Sequence, residues 1–221
     1  SRSSTAYLSN GTQVAANVPR FEDGQYGKGV MVEEGTTNLI PESDHDFEGG
    51  TWGAYSGAIP TITQNQPDPF GGNKATRIQI SGGSHILKYF GSWLNPFVEG
   101  DYSAESIWIK VLSGSVTVTN HEASLTKTIT AGEWQKVELV GEFIVGRACQ
   151  IQFRALNVAD SLDFLAFQPQ KEKKPYCTTF TDGTRSPETL TIPTAGVLNP
   201  QEGTVECRVY INDASRYQNR Y

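Results

Sequence analysis

A series of short candidate strands between Thr37 and Pro169, with no helical period among them, constrains the fold most strongly. The segments are Pro60–Gln64, Ala75–Ile80, His85–Phe90, Tyr102–Leu112, Ser115–Thr119, Thr126–Thr130, Glu133–Leu139, Cys149–Arg154 and Ser161–Gln168. Glycine, proline, asparagine or aspartate bounds each segment, as is usual at turns. Short strands at this spacing are typical of sandwiches and not of alternating strand and helix units. The sequence therefore predicts an all-β protein, a jelly-roll β-sandwich of two antiparallel sheets.

Alternation within the strands predicts which side chains face the core. Ile151 and Phe153 stand two residues apart, and successive side chains of a strand point to opposite faces. The polar residues between them should therefore line the other side of the sheet, and the strand that includes Ile78 and Ile80 shows the same pattern. The polar residues predicted to face outward are Arg77, Gln79, Gln150, Gln152 and Arg154.

The segments on either side of this series have a different character. Residues 1–36 combine many turn formers with few apolar residues, which predicts a hairpin or extended arm that docks on the next domain or a neighbouring subunit. Residues 37–170 form the predicted jelly roll. The charged run Lys171–Lys174 predicts a solvated link, and Gly203–Ile211 alternates as a strand close to the last residue. Residues 171–221 are therefore interpreted as a linker and the start of a second β-sandwich.

Charge and cysteine content exclude several classes of protein. With 18 Lys and Arg against 24 Asp and Glu, the net charge is −6, and nucleic acids and anionic membranes both select basic surfaces. No apolar run approaches the roughly 20 residues of a membrane-spanning helix. The cysteines are widely spaced and form no CxxC pair, which favours free thiols over a disulfide framework or a zinc site. We expect neither a nucleic-acid partner nor a membrane.

Catalytic motifs are missing from the sequence. His45, His85 and His121 are scattered and show no zinc-binding spacing. The chain also lacks a GxSxG nucleophile motif, a P-loop, and a GxGxxG motif between a strand and a helix. We therefore expect a protein that is not an enzyme.

Aromatic and planar polar side chains on a β scaffold are suited to sugar recognition. Sugars offer apolar faces to flat rings and hydroxyl rims to amide and guanidinium groups. The candidate carbohydrate-binding residues are Trp52, Tyr55, Arg77, Gln79, Tyr89, Trp93, Gln150, Gln152 and Arg154. The alternative is that the outward Gln and Arg side chains are plain solvated surface. Trp108 and Trp134, in or at the start of strands, are interpreted as packed structure.

A calcium site is a second hypothesis. Asp44, Asp46 and Glu48 crowd one early loop, and Asp163 begins a late strand with Asp160 nearby. Calcium takes six to eight hard oxygen ligands, which a loop and a strand could supply together. The alternative is an ordinary acidic turn.

Several strings resemble known families. Segments of the middle region are similar to carbohydrate-binding modules of the family 4/9 jelly-roll type: Glu34–Pro41, Asp46–Glu48 with Trp52, Ser106–Lys110, Gly132–Val137 and Leu162–Phe164. The flanking segments resemble bacteriophage tail and other virion proteins, in which the last string opens a concanavalin- or laminin-G-like sandwich: Asn17–Phe21, Val32–Leu39, Thr179–Arg185 and Gly203–Glu206. The jelly-roll resemblance implies a structural calcium ion held by Glu48 and Asp163.

Together these features predict a non-catalytic carbohydrate-binding module of a phage virion or tail protein that recognises a host cell-surface glycan. Its partners would be a polysaccharide or cell-wall glycan and other virion subunits, with homo-oligomers included. Its location would be the phage particle, or alternatively a secreted protein. Two alternatives stay open: a purely architectural virion domain, and the targeting module of a secreted glycoside hydrolase.

Overall fold

The computed structural model describes residues 2–24, 27–48, 52–54, 59–81, 85–89, 96–155 and 160–191. These residues form two compact units, one from Thr36 to Thr184 and the other from the described residues before Thr36 and after Thr184. The predicted strand Gly203–Ile211 lies outside the described residues, as do Tyr55 and Trp93. No helix among the described residues is long and apolar enough to cross a membrane.

The described secondary structure is almost entirely β, apart from a 3₁₀ turn at Glu42–Asp44. In chain order the strands are β1 (Ala6–Tyr7), β2 (Gln13–Val14), β3 (Arg20–Gly24), β4 (Gly27–Met31), β5 (Thr36–Thr37), β6 (Trp52–Ala54), β7 (Thr61–Gln66), β8 (Ala75–Ile80), β9 (His85–Tyr89), β10 (Tyr102–Ser113), β11 (Ser115–Asn120), β12 (Leu125–Thr130), β13 (Gln135–Glu142), β14 (Gln150–Arg154), β15 (Leu162–Glu172) and β16 (Thr184–Arg185). Most of these strands follow the candidate segments closely.

Two five-stranded sheets form the larger unit. Sheet A has the strand order β13-β10-β15-β8-β7, and sheet B has the order β12-β11-β14-β9-β6. Neighbouring strands in both sheets are antiparallel. The predicted β-sandwich of two antiparallel sheets is confirmed.

The core lies between the inner faces of the two sheets. Ile151 and Phe153 of sheet B are buried there, as their alternation predicted. The ring of Phe153 lies 5.4 Å from that of Phe164 in sheet A, measured between centroids. Fully burying a side chain of this kind contributes roughly 1.5–3 kcal/mol, so the inward positions hold each strand in register.

The smaller unit contains two hairpins, β1–β2 and β3–β4, and a buried ion network. The Glu188 carboxylate accepts hydrogen bonds from Arg2 at 2.6 Å and from Arg20 at 2.6 and 3.0 Å. Arg20 also donates to Glu33 at 2.7 Å. Burial alone would raise the pKa of Glu188, but the hydrogen bonds from Arg20 and Arg2 outweigh it and hold that pKa below its usual value.

The interpretation of Lys171–Lys174 as a solvated link is wrong for its first two residues. β15 continues through Lys171 and Glu172, and neither side chain is exposed to solvent. The Glu172 carboxylate accepts hydrogen bonds from the hydroxyls of Thr36 at 2.5 Å and Thr178 at 2.6 Å. Buried charges need such partners. Lys171 and Glu172 are therefore part of the sandwich and not of a solvated link.

Candidate functional site

The central strand of sheet B carries a polar row on its outer face. Gln150 and Gln152 of β14 are only 7% and 9% exposed, and Arg154 is half-buried. The Gln152 amide Nε2 donates to Gln150 Oε1 at 2.8 Å, which fixes the two side chains against each other. The Arg154 guanidinium donates to Thr119 Oγ1 at 3.4 Å. The predicted row therefore exists, with its two glutamines more buried than an ordinary solvated surface would be.

Threonines of two neighbouring strands extend this row sideways. Thr119 and Thr117 of β11 lie opposite Gln152 and Arg154 in the strand register. Thr128 of β12 lies opposite Thr117, and the two hydroxyls are 2.9 Å apart. We use the name polar face of sheet B for the surface that six of these side chains form: Thr117, Thr119, Thr128, Gln150, Gln152 and Arg154.

Strand β9 borders β14 on its other side. Its backbone places Tyr89, another predicted sugar-binding residue, at the register position opposite Gln150. The Tyr89 side chain lies outside the described residues. At the level of the backbone, the structure therefore brings one predicted aromatic residue next to the predicted polar row.

Arg77 and Gln79 do not extend the polar row, because β8 belongs to sheet A. Arg77 instead pairs with Asp163 of β15, donating from Nε to Oδ1 at 2.8 Å and from Nη2 to Oδ2 at 2.7 Å. Gln79 donates to the same carboxylate at 3.3 Å. Alternation predicted correctly that these side chains leave the core, but it carries no information on which sheet a strand joins.

The same ion pair affects the predicted calcium site. Hydrogen bonds from Arg77 lower the pKa of Asp163, and both oxygens of this proposed metal ligand are engaged. Glu48 lies in the early loop, where its backbone amide donates to Asp46 Oδ1 at 3.0 Å. The described ranges contain no group of three or more His, Cys, Asp or Glu side chains placed to hold a metal ion. Calcium binding by Glu48 and Asp163 stays a prediction.

Trp52, another of the predicted carbohydrate-binding residues, packs against the core. Its ring centroid lies 4.7 Å from that of Phe47 and 6.0 Å from that of Phe153. Its indole N–H donates to the Asp44 carbonyl at 2.7 Å. This position in β6 does not suit an exposed sugar platform. Trp108 is half-buried, with its ring 5.4 Å from that of Phe70, which agrees with its interpretation as packed structure.

A buried charge cluster escaped the sequence analysis. It consists of Lys171, Glu105 and Glu122, and the Lys171 amine contacts a carboxylate oxygen of each glutamate. Burial raises the pKa of Glu105 well above its usual value, against the opposing effect of Lys171. One signal could have found it: Glu105 occupies an inward position of β10, in phase with Ile107 and Ile109.

Comparison with known proteins gives likeness to solved structures only. No family model matches the sequence, and no curated protein matches it. One similar structure is the enzymatically active domain of tailspike protein 4 of bacteriophage CBA120, with 13% identity and a TM-score of 0.46 over 61% of this chain. The match spans only 21% of that tailspike chain.

Two further similar structures are carbohydrate-binding modules of Clostridium thermocellum. The family 11 module of the cellulosomal cellulase Lic26A-Cel5E has 16% identity and a TM-score of 0.40, covering 63% of this chain and 95% of the module. The C-terminal family 22 module of Xyn10B has 15% identity and a TM-score of 0.43, covering 61% of this chain and 94% of the module. Likeness at this level of identity does not establish a function, which has to be argued from the chemistry of the residues of this chain.

The six described side chains of the polar face can form hydrogen bonds but offer no general acid or base near neutral pH. They supply amide, hydroxyl and guanidinium groups, and none is a carboxylate, histidine or thiol. The bond between Gln150 and Gln152 uses one polar atom of each amide. Gln150 Nε2 and Gln152 Oε1 take no part in that bond. This surface can therefore recognise hydroxyl groups in a fixed geometry.

Proposed function

We propose that this chain is a non-catalytic carbohydrate-binding module whose polysaccharide ligand binds on the polar face of sheet B. The observation that carries the proposal is the mutually oriented pair Gln150 and Gln152, with Arg154 and Thr119 beside it. Neighbouring sugar hydroxyls both donate and accept hydrogen bonds, and planar amide and guanidinium groups match them in pairs.

The dimensions of the face suit an extended chain of sugars. Strands β12, β11 and β14 lie side by side, and neighbouring strands are separated by about 4.8 Å. A row from Thr128 through Thr117 to Arg154 therefore extends about 10 Å across the sheet. Because the groups of this row are held by the sheet and by each other, little side-chain entropy is lost on binding.

The finer part of the proposal is that the ligand is a host cell-surface glycan and that the chain belongs to a phage virion or tail protein. Support comes from the resemblance of the flanking strings, Asn17–Phe21 and Thr179–Arg185, to such proteins. In a particle with many copies, linked weak sites act at high effective concentration. Millimolar affinity at a single site would then be sufficient.

A direct test is a glycan array of bacterial cell-wall polysaccharides, followed by calorimetric titration of any polysaccharide that binds. Substitution Gln152→Ala is expected to weaken binding at least about tenfold, because it removes one ligand-facing amide and frees the other. The matched control is Gln79→Ala in sheet A, which should bind as the unaltered chain does. Equal affinity in all three proteins, or no binding on a multivalent array, would overturn the proposal.

The second candidate function is architectural, and exposed apolar residues of the smaller unit favour it. Phe21 and Val30 lie opposite each other in the β3–β4 hairpin, and both are largely exposed, as is Val32. Exposed apolar groups of this kind mark surfaces that other proteins cover. If this role is the main one, Phe21→Ser should abolish assembly with other virion subunits and leave glycan binding intact.

A further inference from the structure

Lys171 is fully buried in sheet A, and its amine contacts two carboxylates at once. Glu105 lies directly opposite it in the pairing of β10 with β15, and Glu122 follows β11 of sheet B. All three side chains are between 0% and 3% exposed. The cluster therefore lies where the two sheets meet, closed off from bulk water.

The two glutamates differ in their surroundings. Glu122 Oε1 accepts a hydrogen bond from the Ser103 hydroxyl at 2.7 Å, and Glu122 Oε2 accepts one from the backbone N–H of Gln150 at 3.1 Å. Glu105 Oε1 contacts Lys171, whereas Glu105 Oε2 is buried with no hydrogen-bond partner. Hydrogen bonds stabilise an ionised carboxylate, so Glu122 is suited to carry the charge and Glu105 to carry a proton.

With all three groups ionised, the cluster would hold one uncompensated negative charge. Burying such a charge is strongly unfavourable, as is removing one partner of a buried ion pair. A proton on Glu105 removes this negative charge. Burial raises the pKa of Glu105, which favours the protonated form. The result is a neutral carboxylic acid in contact with an amine, beside a carboxylate that can take a proton from that amine.

We propose that Lys171 and Glu105 form a modification site, at which the lysine amine and the glutamic acid condense into an intramolecular amide bond while Glu122 acts as the proton acceptor. The bond would join β10 to β15 covalently, between two residues that lie directly opposite each other in the pairing of the strands. The proposal is independent of the glycan function, since none of the three residues belongs to the polar face of sheet B.

The proposed step balances without any further reactant. One proton passes from the Lys171 ammonium to Glu122, and the free amine nitrogen attacks Cδ of the protonated Glu105. Glu122 returns its proton to the departing hydroxyl, which leaves as water, and takes up the remaining excess proton from the new amide nitrogen. The products are one amide bond, one water molecule and a protonated Glu122, with zero net charge before and after.

Burial favours this reaction in two ways. Reactants held in contact behave as though present at effective concentrations of about 10⁵–10⁸ M. The product also replaces a buried ion pair by neutral groups, which removes the desolvation penalty of two charges. Burial would lower the pKa of Lys171, but the two carboxylates outweigh it and raise that pKa, so the amine is the minor form. The reaction is therefore expected to complete slowly after folding.

Mass spectrometry of the intact chain, incubated after purification for several days at neutral pH, tests the proposal. The expected mass is lower than the sequence mass by about 18 Da, one water molecule. Protease digestion should then give one joined product that contains both Lys171 and Glu105. An unshifted mass with the two residues in separate peptides would overturn the proposal. A link from Lys171 to Glu122 would overturn the assignment of roles.

Variants test the roles of the individual groups. Lys171→Arg keeps the positive charge but supplies no amine, and Glu122→Gln removes the proton acceptor, so both should show their unshifted sequence masses. A linked Glu122→Gln protein would contradict the role of Glu122. The internal control is the exposed pair Lys136 and Glu138, 2.7 Å apart in sheet A, whose peptides should stay unlinked. The measurement on the unaltered chain decides the proposal even if a variant does not fold.

Discussion

Arg77 of β8 and Asp163 of β15 form a two-point ion pair on the outer face of sheet A. The guanidinium donates from Nε and Nη2 to the two carboxylate oxygens at 2.8 and 2.7 Å. The two residues are 86 positions apart in the sequence and meet only because β8 and β15 are neighbours in the sheet. Two parallel bonds from a planar group fix both side chains more firmly than a single contact would.

This pair predicts how stability depends on pH in the acid range. Arg77 lowers the pKa of Asp163 in the folded chain below its ordinary value of 3.8. A lowered carboxylate pKa gives stability that is present above about pH 4 and lost as the pH falls through the folded value. Arg77→Met should therefore lower the free energy of unfolding more at pH 6 than at pH 2.

Urea denaturation at both pH values measures this difference. The matched control is Lys110→Met, because Lys110 of β10, in the same sheet, pairs at 3.4 Å with the highly exposed Glu133. The control should change the free energy of unfolding by less than about 0.5 kcal/mol. A loss in Arg77→Met that is as large at pH 2 as at pH 6 would show that the side chain acts through packing alone.

The calcium prediction can be tested through the same pair. A calcium ion at Asp163 would compete with the Arg77 guanidinium, since both bind the same two oxygens. We expect calcium to raise the melting temperature more in Arg77→Met than in the unaltered chain, and Glu48→Gln to abolish the rise. If neither calcium nor chelator changes the melting temperature of any variant, Glu48 and Asp163 are not calcium ligands.

Trp52 shows where local sequence reasoning reaches its limit. The sequence predicted Trp52 as a carbohydrate-binding residue, yet β6 pairs with β9 and Trp52 packs against Phe47 and Phe153. Local sequence did not predict β6, because a short edge strand forms through pairing with its neighbour more than through its own propensity. By contrast, β8 was predicted with the bounds Ala75–Ile80 that the structure shows, since alternation and flanking turns both define it.

The position of Trp52 separates a structural role from a ligand-binding role. Trp52→Ala should lower the free energy of unfolding by about 3 kcal/mol, the lower end for a Trp deletion, because the ring is half-buried. Urea denaturation, monitored by far-ultraviolet circular dichroism, measures this loss of stability. Ile59→Ala, at an 88% exposed residue, should change little. Loss of glycan binding with unaltered stability would instead favour the sugar platform.

Long-range polar contacts could not be predicted from the sequence. The inward positions of β8 and β14 followed from alternation, but the partners of Lys171 lie 66 residues away at Glu105 and in the turn after β11 at Glu122. A run of charged residues usually indicates exposure to solvent. Lys171 and Glu172 are buried instead, because both have charged or polar partners elsewhere in the fold. The polar row of β14 was predictable because all of its members lie in one strand.

Asn38 is a buried hub whose removal should be costly. Its side-chain oxygen accepts hydrogen bonds from the Ile40 and Lys171 amides, each at 3.1 Å. Its side-chain nitrogen donates to the carbonyls of Pro169 and Thr181, also at 3.1 Å. Asn38→Ala leaves these buried backbone groups without partners, at about 1–3 kcal/mol for each group that water cannot reach.

The expected loss for Asn38→Ala is about 3 kcal/mol or more in the free energy of unfolding, measured by urea denaturation at neutral pH. Asn38→Asp keeps the two acceptor contacts and loses both donated bonds, so it should also destabilise the chain. Gln135→Ala, at an exposed position of β13, is the control. A loss below about 1 kcal/mol would mean that water replaces the missing amide.

We expect Glu188 to stabilise the smaller unit and to have no effect on the stability of the larger one. It accepts hydrogen bonds from both Arg2 and Arg20, and Arg20 is almost fully buried. Glu188→Gln leaves buried guanidinium charge with less compensation, which typically costs about 3–5 kcal/mol. Hydrogen exchange should therefore show faster exchange of backbone amides in β1–β4 and unchanged exchange in sheets A and B. Asp23→Asn, at an exposed hairpin position, is the control. Equal acceleration in both units would contradict an effect confined to this network.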